Sequence, residues 1–592
     1  MATRAKFLTK ALPLLFLVLI TLLAYLNAWP DNLLLDDKVF SAAGRYSDMS
    51  LSDMSRFFSE DLWALHGGNS GLYRPLLVLS FALDAYIFGD WAAGYHLTNI
   101  ILHLLVTLLV FGFLRHLLLT TGGQSPIADY TALMAAAIFS VHPVHTEVVN
   151  SIFNRSDIFV SIGVVGGLWW FLRTLESSPL KAWAGVGLTY FLILFFKEIS
   201  AVFPALIIVM LWLFTPGNWR IHVRKSLPVF WLLIPLAIYF LFRNYALETP
   251  AAPGAANAPG GIHYVASNTG LIGFGWDRVL PAFSVWMGSL KKLLWPYPLQ
   301  LYYGMLSKNY SLIMPLHLLL AGLAIMAYRK NNNGLIAGLA FFYIAFLPAS
   351  RLIGEIEISP HLADRYIYLP SIGGAIALAF GLQWLSQRFN FRAVTAAVLV
   401  VIMMMIPATL ARNAEWASDL LLYESEYRQV KKKGRILHLV VGANLREHNY
   451  SRAAEICDEQ IESLDYYAWK FANRCGVAHF QMGQFDKAER AFLIAVNDKK
   501  NSGAVHQKLA NMYLYLGQGT DARKHFELSV ETEINPVLRE YRWAYMLIRL
   551  YPNNENRLLE AKSHLEQTLL LQPKFVPARE MLALLNEVLV SD

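Results

Sequence analysis

Charge is scarce in this sequence. Asp, Glu, Lys and Arg make up 16% of its 592 residues, and the net charge is only +7. A soluble chain of this length needs a larger charged surface, so the composition argues against an ordinary soluble protein. No basic block stands out either. Much of the Lys and Arg sits in short loops between apolar runs, which speaks for membrane topology and against a nucleic-acid partner. Cysteine is nearly absent: Cys457 and Cys475 are the two. They form no metal pattern and allow at most one disulfide, so they say little about redox compartment. A small-residue cleavage site is also lacking after the first apolar run, which therefore reads as a retained helix.

What is present is apolar. Hydrophobic residues reach 56%, and the mean hydropathy is +0.39. A spanning helix takes about 17–25 mostly apolar residues. The stretches 11–29, 93–118, 131–149, 157–173, 182–197, 199–215, 226–245, 311–328, 334–348, 366–386 and 393–411 qualify, about eleven in all, and 279–296 reads as a further span or an interfacial helix. The predicted fold class is all-α: a polytopic membrane bundle followed by a helical tail.

Basic residues orient the bundle. Arg4, Lys6 and Lys10 put the N-terminus in the cytoplasm. Alternate loops then carry Arg115, then Arg173 and Lys181, then Arg220, Arg224 and Lys225, then Arg329 and Lys330, then Arg388 and Arg392. One threading puts all of these inside. It puts outside the loop 30–92, the turn 150–156, the loop 246–310 and everything after about 411. The outer stretches 51–65 and 75–89 are amphipathic or apolar and are expected to lie flat at the interface. The segment 246–262 is rich in Pro, Gly and Ala, and reads as a segment that is either mobile or ordered only with a ligand.

After about residue 430 the chain turns polar, and a repeat emerges. "GQFDKAERAF" at 483–492 returns as "GQGTDARKHF" at 517–526, so Gly483 and Gly517, and Phe492 and Phe526, are 34 apart. That is the tetratricopeptide (TPR) period. With a weaker copy at 447–457 and a later one at 558–573, about four repeats are expected. The predicted domains are a membrane domain at 1–411, a linker at 412–430 and an extracytoplasmic TPR domain at 431–592. Such arrays offer concave surfaces to extended peptides.

Ionisable groups at membrane depth cost about 2.5–3.5 kcal/mol each on insertion scales, so their positions matter. Asp36 and Asp37 follow the first span. Arg74 ends the first outer loop; His142, His145, Glu147, Arg155 and Asp157 surround one outer turn; Lys197 and Glu198 mark a second; His361, Asp364 and Arg365 mark a third. All share the outer side in this threading. Acids and bases gathered there can hold an anionic headgroup and activate a nucleophile. Each also has a plainer reading. The aspartates can be solvated, Lys197 and Glu198 can form a structural pair, and Arg155 and Arg365 can anchor span ends. His142 and His145 share a helix face and with Glu147 could ligate a metal, but a buried hydrogen-bonded cluster is the preferred reading.

The stretches "YRPLLVLSFALDAYIFGDWAAGYHLTNIILH", "HPVHTEVVNSIFNRSD", "KEIS", "LPASRLI", "DRYIYLPSIG" and "ARNAEWASDLLLYES" occur in that order. They resemble successive motifs of the transmembrane-and-TPR O-mannosyltransferase family, over nearly the whole chain. Two motifs depart from the family. Its Gly-Arg-Ala-Asp is here Asn154-Arg155-Ser156-Asp157, and its Lys-Glu-Gln-Gly-Ile-Thr is Lys197-Glu198-Ile199-Ser200-Ala201-Val202. The charged residues survive while their neighbours change. The tail is short beside animal members, which suggests a bacterial relative with its site in the periplasm, at the inner membrane; in a eukaryote the equivalent is the ER lumen.

The resemblance implies a GT-C bundle that moves a mannose-like sugar from a polyprenyl-phosphate donor to a Ser or Thr hydroxyl of a protein acceptor bound by the TPRs. By analogy with that class, Asp36 or Asp37 is the catalytic base. Arg74, Arg155, Lys197 and Arg365, with His142, His145, Glu147, Asp157 and Glu198, bind the donor phosphate and sugar. The donor lipid lies between helices. A monophosphate leaving group does not require a metal; a diphosphate would favour a divalent metal held by the acids or by His142 and His145. Two other classes stay open: a non-catalytic TPR scaffold for envelope assembly, and a transporter or flippase of lipid-linked sugar.

Overall fold

Proline sets where many of the helices begin. The helices Pro75–Phe88, Ser125–Ser140, Pro179–Leu194, Phe203–Phe214 and Pro536–Leu550 each carry Pro at the first or second position, where a missing N–H costs nothing. The computed structural model describes residues 2–30, 33–40, 54–63, 71–248, 278–301, 303, 310–330, 332–350, 352, 362–429, 434–461, 468–497, 502–533, 535–573 and 575–591. Among these residues there are helices and turns and no strand, as the all-α expectation required. The chain divides into two compact units, Met1–Leu422 and Tyr423–Asp592. Residues within 412–430 continue the helix Phe391–Glu415 and form a further helix, Asp419–Gln429.

The first unit is an integral membrane bundle. Seven of its described helices are long and apolar enough to cross a bilayer, and eight if one bent pair counts as a single span. Three of the eleven expected spans fall instead on the shorter apolar helices Ala11–Ala24, Pro179–Leu194 and Glu198–Phe214. At 1.5 Å per residue, the 16 residues of Pro179–Leu194 rise only about 24 Å. The stretch Trp219–Glu248 buries only 11% of its apolar window. Its exposed Leu227, Phe230, Trp231, Ile234 and Leu241 therefore face lipid. The expected interfacial stretch at 75–89 is the helix Pro75–Phe88, which buries Leu77, Phe81 and Asp84. Most of 246–262 and both ends of 51–65 lie outside the described residues.

Close packing depends on small residues. A Cβ on Gly373 would stand 2.5 Å from the Gly338 carbonyl oxygen and 2.6 Å from the Phe342 nitrogen. The helices Asn333–Phe346 and Tyr368–Arg388 thus meet backbone to backbone, as membrane helices do through small residues.

The bent pair is Pro126–Ser140 with Pro143–Asn150, at 49°. Pro143 has no N–H to offer and forces its predecessor out of the helical region. His142 accordingly sits at φ −70°, ψ 123°, and its ring accepts from the Val144 N–H. The bend turns Glu147 and the following turn inward.

The second unit is built of helix pairs. The helices Ala468–Gln481, Ser502–Tyr515 and Pro536–Leu550 start 34 residues apart. Their partners are Phe485–Ala495, Gly519–Glu531 and Glu555–Leu571. An earlier pair is Gly434–Arg446 with Tyr450–Gln460, and Val576–Ser591 follows the last. Gly483 and Gly517 take φ of +69° and +73° to end their helices. The next N–H then reaches back, from Gln484 to the His479 carbonyl at 2.9 Å and from Gln518 to Tyr513 at 2.8 Å, closing the helix end. His448, at φ +57°, does this work in the first pair. Phe492 seats its ring where a Cβ on Gly476 would stand, 2.4 Å away. Cys457 and Cys475 form a disulfide between Tyr450–Gln460 and Ala468–Gln481.

Candidate active site

The twin aspartates separate in the structure. Leu35 adopts φ +52°, a left-handed conformation unusual for a branched residue. Its N–H points at the Asp419 carboxylate (3.4 Å), which also pairs with Lys38. Past this turn Asp36 is exposed, whereas Asp37 is 1% exposed. The Asp37 carboxylate accepts from the Ile152 N–H at 2.9 Å, the Phe153 N–H at 2.7 Å and the Ser151 hydroxyl at 3.2 Å. Burial pushes its pKa up to about 7, against the pull of those two backbone donors. Asp37 thereby fastens the first loop to the turn ahead of Arg155.

Arg155 is fully buried. Its guanidinium pairs with Asp84, donates to Asn99 Oδ1 at 2.6 Å and to the Tyr95 carbonyl at 3.0 Å, and reaches the Ser80 carbonyl at 3.4 Å. Phe81 lies under it at 5.6 Å. These acceptors occupy the fork, so this side chain holds helices together. Two residues on, Asp157 accepts from Lys197 Nζ at 2.6 Å, with both side chains largely buried.

Glu147 grips the segment 218 residues away. One carboxylate oxygen takes the Arg365 backbone N–H at 2.9 Å and the other takes its Nη1 at 2.5 Å. The Arg365 side chain stays 21% exposed and stacks over Tyr366 at 4.9 Å. Arg74 and Glu198 form a two-point pair, Nε to Oε2 at 3.1 Å and Nη2 to Oε1 at 2.5 Å, with Glu198 half exposed. Each predicted acid from Glu147 to Glu198 thus has a predicted or neighbouring base.

The histidines are internal. His142 gives Nε2–H to the Leu293 carbonyl (2.9 Å) and accepts at Nδ1, which leaves neither nitrogen for a metal. His145 Nε2 lies 2.9 Å from Ser371 Oγ, among the rings of His103, Phe139 and Tyr368. Among the described residues no group of three or more His, Cys, Asp or Glu side chains could hold a metal ion. His361 lies outside them.

Sequence reasoning missed several participants. Asp84 stands in the apolar run "LSFALDAYIFG", and that lone acid was the available signal. Asn99 and Asn413 carried none. Asn413 joins the Asn150 amide (2.8 Å) to the Ala24 carbonyl (2.9 Å), tying the last span to the first. Tyr303 carried none either: its hydroxyl donates at 2.6 Å to buried Asp364, the acid the sequence marks at the third outer turn.

Comparison with known proteins gives the chain its relatives. It is 26% identical over 431 residues to human Protein O-mannosyl-transferase TMTC4, covering 64% of this chain and 56% of that one. It is 22% identical over 564 residues to mouse Protein O-mannosyl-transferase TMTC3, covering 89% and 56%. With Drosophila melanogaster Protein O-mannosyl-transferase Tmtc2 identity rises to 32% over 186 residues, 30% of this chain and 19% of that one. The chain spans about half to two-thirds of the length of human and mouse TMTC4, at 56% and 64%. No family model and no solved structure matches it.

Proposed function

We propose that this chain, a relative of the protein O-mannosyl-transferases, is a membrane glycosyltransferase of the GT-C class. It moves a mannose-like sugar from a polyprenyl-phosphate donor to a Ser or Thr hydroxyl of a protein. The observation that carries the reading is the docking of Asp37 on residues 151–153, which brings the first loop to the turn bearing Glu147, Arg155 and Asp157. Exposed Asp36 is the base, and buried Asp37 is its anchor. In the transfer step the acceptor oxygen attacks the anomeric carbon as the bond from that carbon to the phosphate oxygen breaks. The hydroxyl proton passes to Asp36, and the polyprenyl phosphate leaves with the bonding electrons.

Positive charge fixed at the leaving phosphate lowers the barrier. Arg365 is the main candidate, because Glu147 engages one edge of its fork and leaves part of the side chain exposed. Arg74 and Lys197, each held by an acid, add to the field. Arg155, Asp157, His142 and His145 position the walls. The second unit is a TPR array that binds the acceptor polypeptide. Its disulfide suits an oxidising compartment. That supports an extracytoplasmic site, which is the periplasm in a bacterium.

The test is transfer from synthetic polyprenyl phosphomannose to a Ser/Thr peptide. Asp36→Asn is expected to lower kcat by about 10²–10⁴, the usual contribution of a general base, with membrane levels unchanged. Wild-type turnover by that variant would overturn the assignment.

A further inference from the structure

The helices Ala468–Gln481, Ser502–Tyr515 and Pro536–Leu550 carry a cation at the same register. Arg474, Lys508 and Arg542 are 34 residues apart, each six residues after its helix begins. At the third position the charge is answered within the chain: Arg542 Nη2 meets Glu533 Oε2 at 2.9 Å, with both side chains nearly buried.

Among the described residues the first two positions have the cations without the acid. Arg474 donates Nη1 to the His438 carbonyl, and Lys508 donates to Asn473 Oδ1 at 2.7 Å. Among the described residues neither has a carboxylate within ion-pair distance, and both are half-buried. Burial and the Arg474 guanidinium push the Lys508 pKa down to about 8. Arg446 acts on Arg474 in the same sense, after burial. Sheltered like charges without a counter-ion are costly. The guanidinium is also seated: a Cβ on Gly442 would fall 2.1 Å from Arg474 Nη1, so glycine makes its place.

We propose that Arg474, Lys508 and Asn473 form an anion-binding site in the tail that takes a side-chain or terminal carboxylate of an acidic polypeptide. Glu533 on Arg542 displays the same recognition at the equivalent position of the next helix. The Asn473 amide, its oxygen held by Lys508, keeps its N–H₂ as a further donor. The inference deepens the acceptor role given to the tail and rests on that reading for its biological setting. Its test is equilibrium binding without turnover, so the two succeed or fail separately.

The experiment uses the full-length protein in nanodiscs and a fluorescein-labelled octaglutamate peptide followed by anisotropy. Octaglutamine is the uncharged probe, and inorganic phosphate is a competitor. Octaglutamate is expected to bind and octaglutamine not. Arg474→Gln and Lys508→Gln should each weaken binding by tenfold or more, as the loss of a charge-assisted hydrogen bond does. Lys524→Gln removes the same charge from an exposed position and should leave it unchanged. Gly442→Ala keeps every charge but displaces Arg474, and should weaken binding several-fold; it also serves if Arg474→Gln fails to fold. Equal loss in Lys524→Gln would reveal unspecific attraction and overturn the site. So would no binding, or full displacement by phosphate at concentrations where chloride has no effect.

Discussion

The sharpest test of the bundle concerns Arg155. Sequence reasoning gave it to the donor phosphate, whereas the structure surrounds it with Asp84, Asn99 and two carbonyls. Asp84→Leu alone leaves a fully buried guanidinium without its carboxylate. Breaking a buried pair in this way costs about 3–5 kcal/mol. For a unit of this length, Met1–Leu422, the shift is about 1 °C per kcal/mol, so the apparent unfolding midpoint should fall by about 3–6 °C. Thr98, which donates to Asp84 at 2.9 Å, loses a partner as well. Replacing both charges, Asp84→Leu with Arg155→Met, restores an apolar contact beside Phe81 and should recover most of that loss. The assay is thermal unfolding in detergent alongside sugar transfer. If Arg155 only braces helices, the double variant is stable and turns over within a few-fold of wild type. A stable double variant that has lost transfer a hundredfold would refute this reasoning and return Arg155 to the donor.

Gly373→Ala should separate the helices that meet at Gly338, because backbone atoms within 2.5–2.6 Å of the new methyl cannot rotate away; circular dichroism melts should show a loss of about 1–3 kcal/mol, the usual cost of overpacking. Asp37 gives a pH signature. Its folded pKa, about 7, exceeds the unfolded value of about 3.9, so the folded state holds the proton more tightly. Its contribution is therefore complete below about pH 4 and is lost as the pH rises towards 7. The unfolding midpoint of wild type should drop across that window more than that of Asp37→Ala; parallel profiles would contradict the burial of this carboxylate.

Much of the helical plan could be read from the chain, because apolar run length and Pro placement act locally. The 34-residue period was legible for the same reason: Gly483 and Gly517 are needed wherever a helix must turn through positive φ. The pairings were not. Glu147 and Arg365 are 218 residues apart, and nothing near either names the other. Nor could adjacency tell Asp36 from Asp37. Their fates diverge because Leu35 adopts a left-handed conformation, a backbone choice its side chain does not advertise. Asp84 was visible as an acid in an apolar run, yet its partner Arg155 was read as facing a substrate.

The Cys457–Cys475 bridge has a mechanical consequence. It welds the first two hairpins of the tail into one stiff block, since it joins the second helix of one to the first helix of the next. Arg474 stands on the first helix of the second welded hairpin and Lys508 on the first helix of the hairpin that follows the block. Any torsion of the array is thus pushed downstream of the weld, into the gap between these two cations. Reducing the bridge would share that torsion with an upstream joint, and the jaws around a bound acid would move less for the same twist.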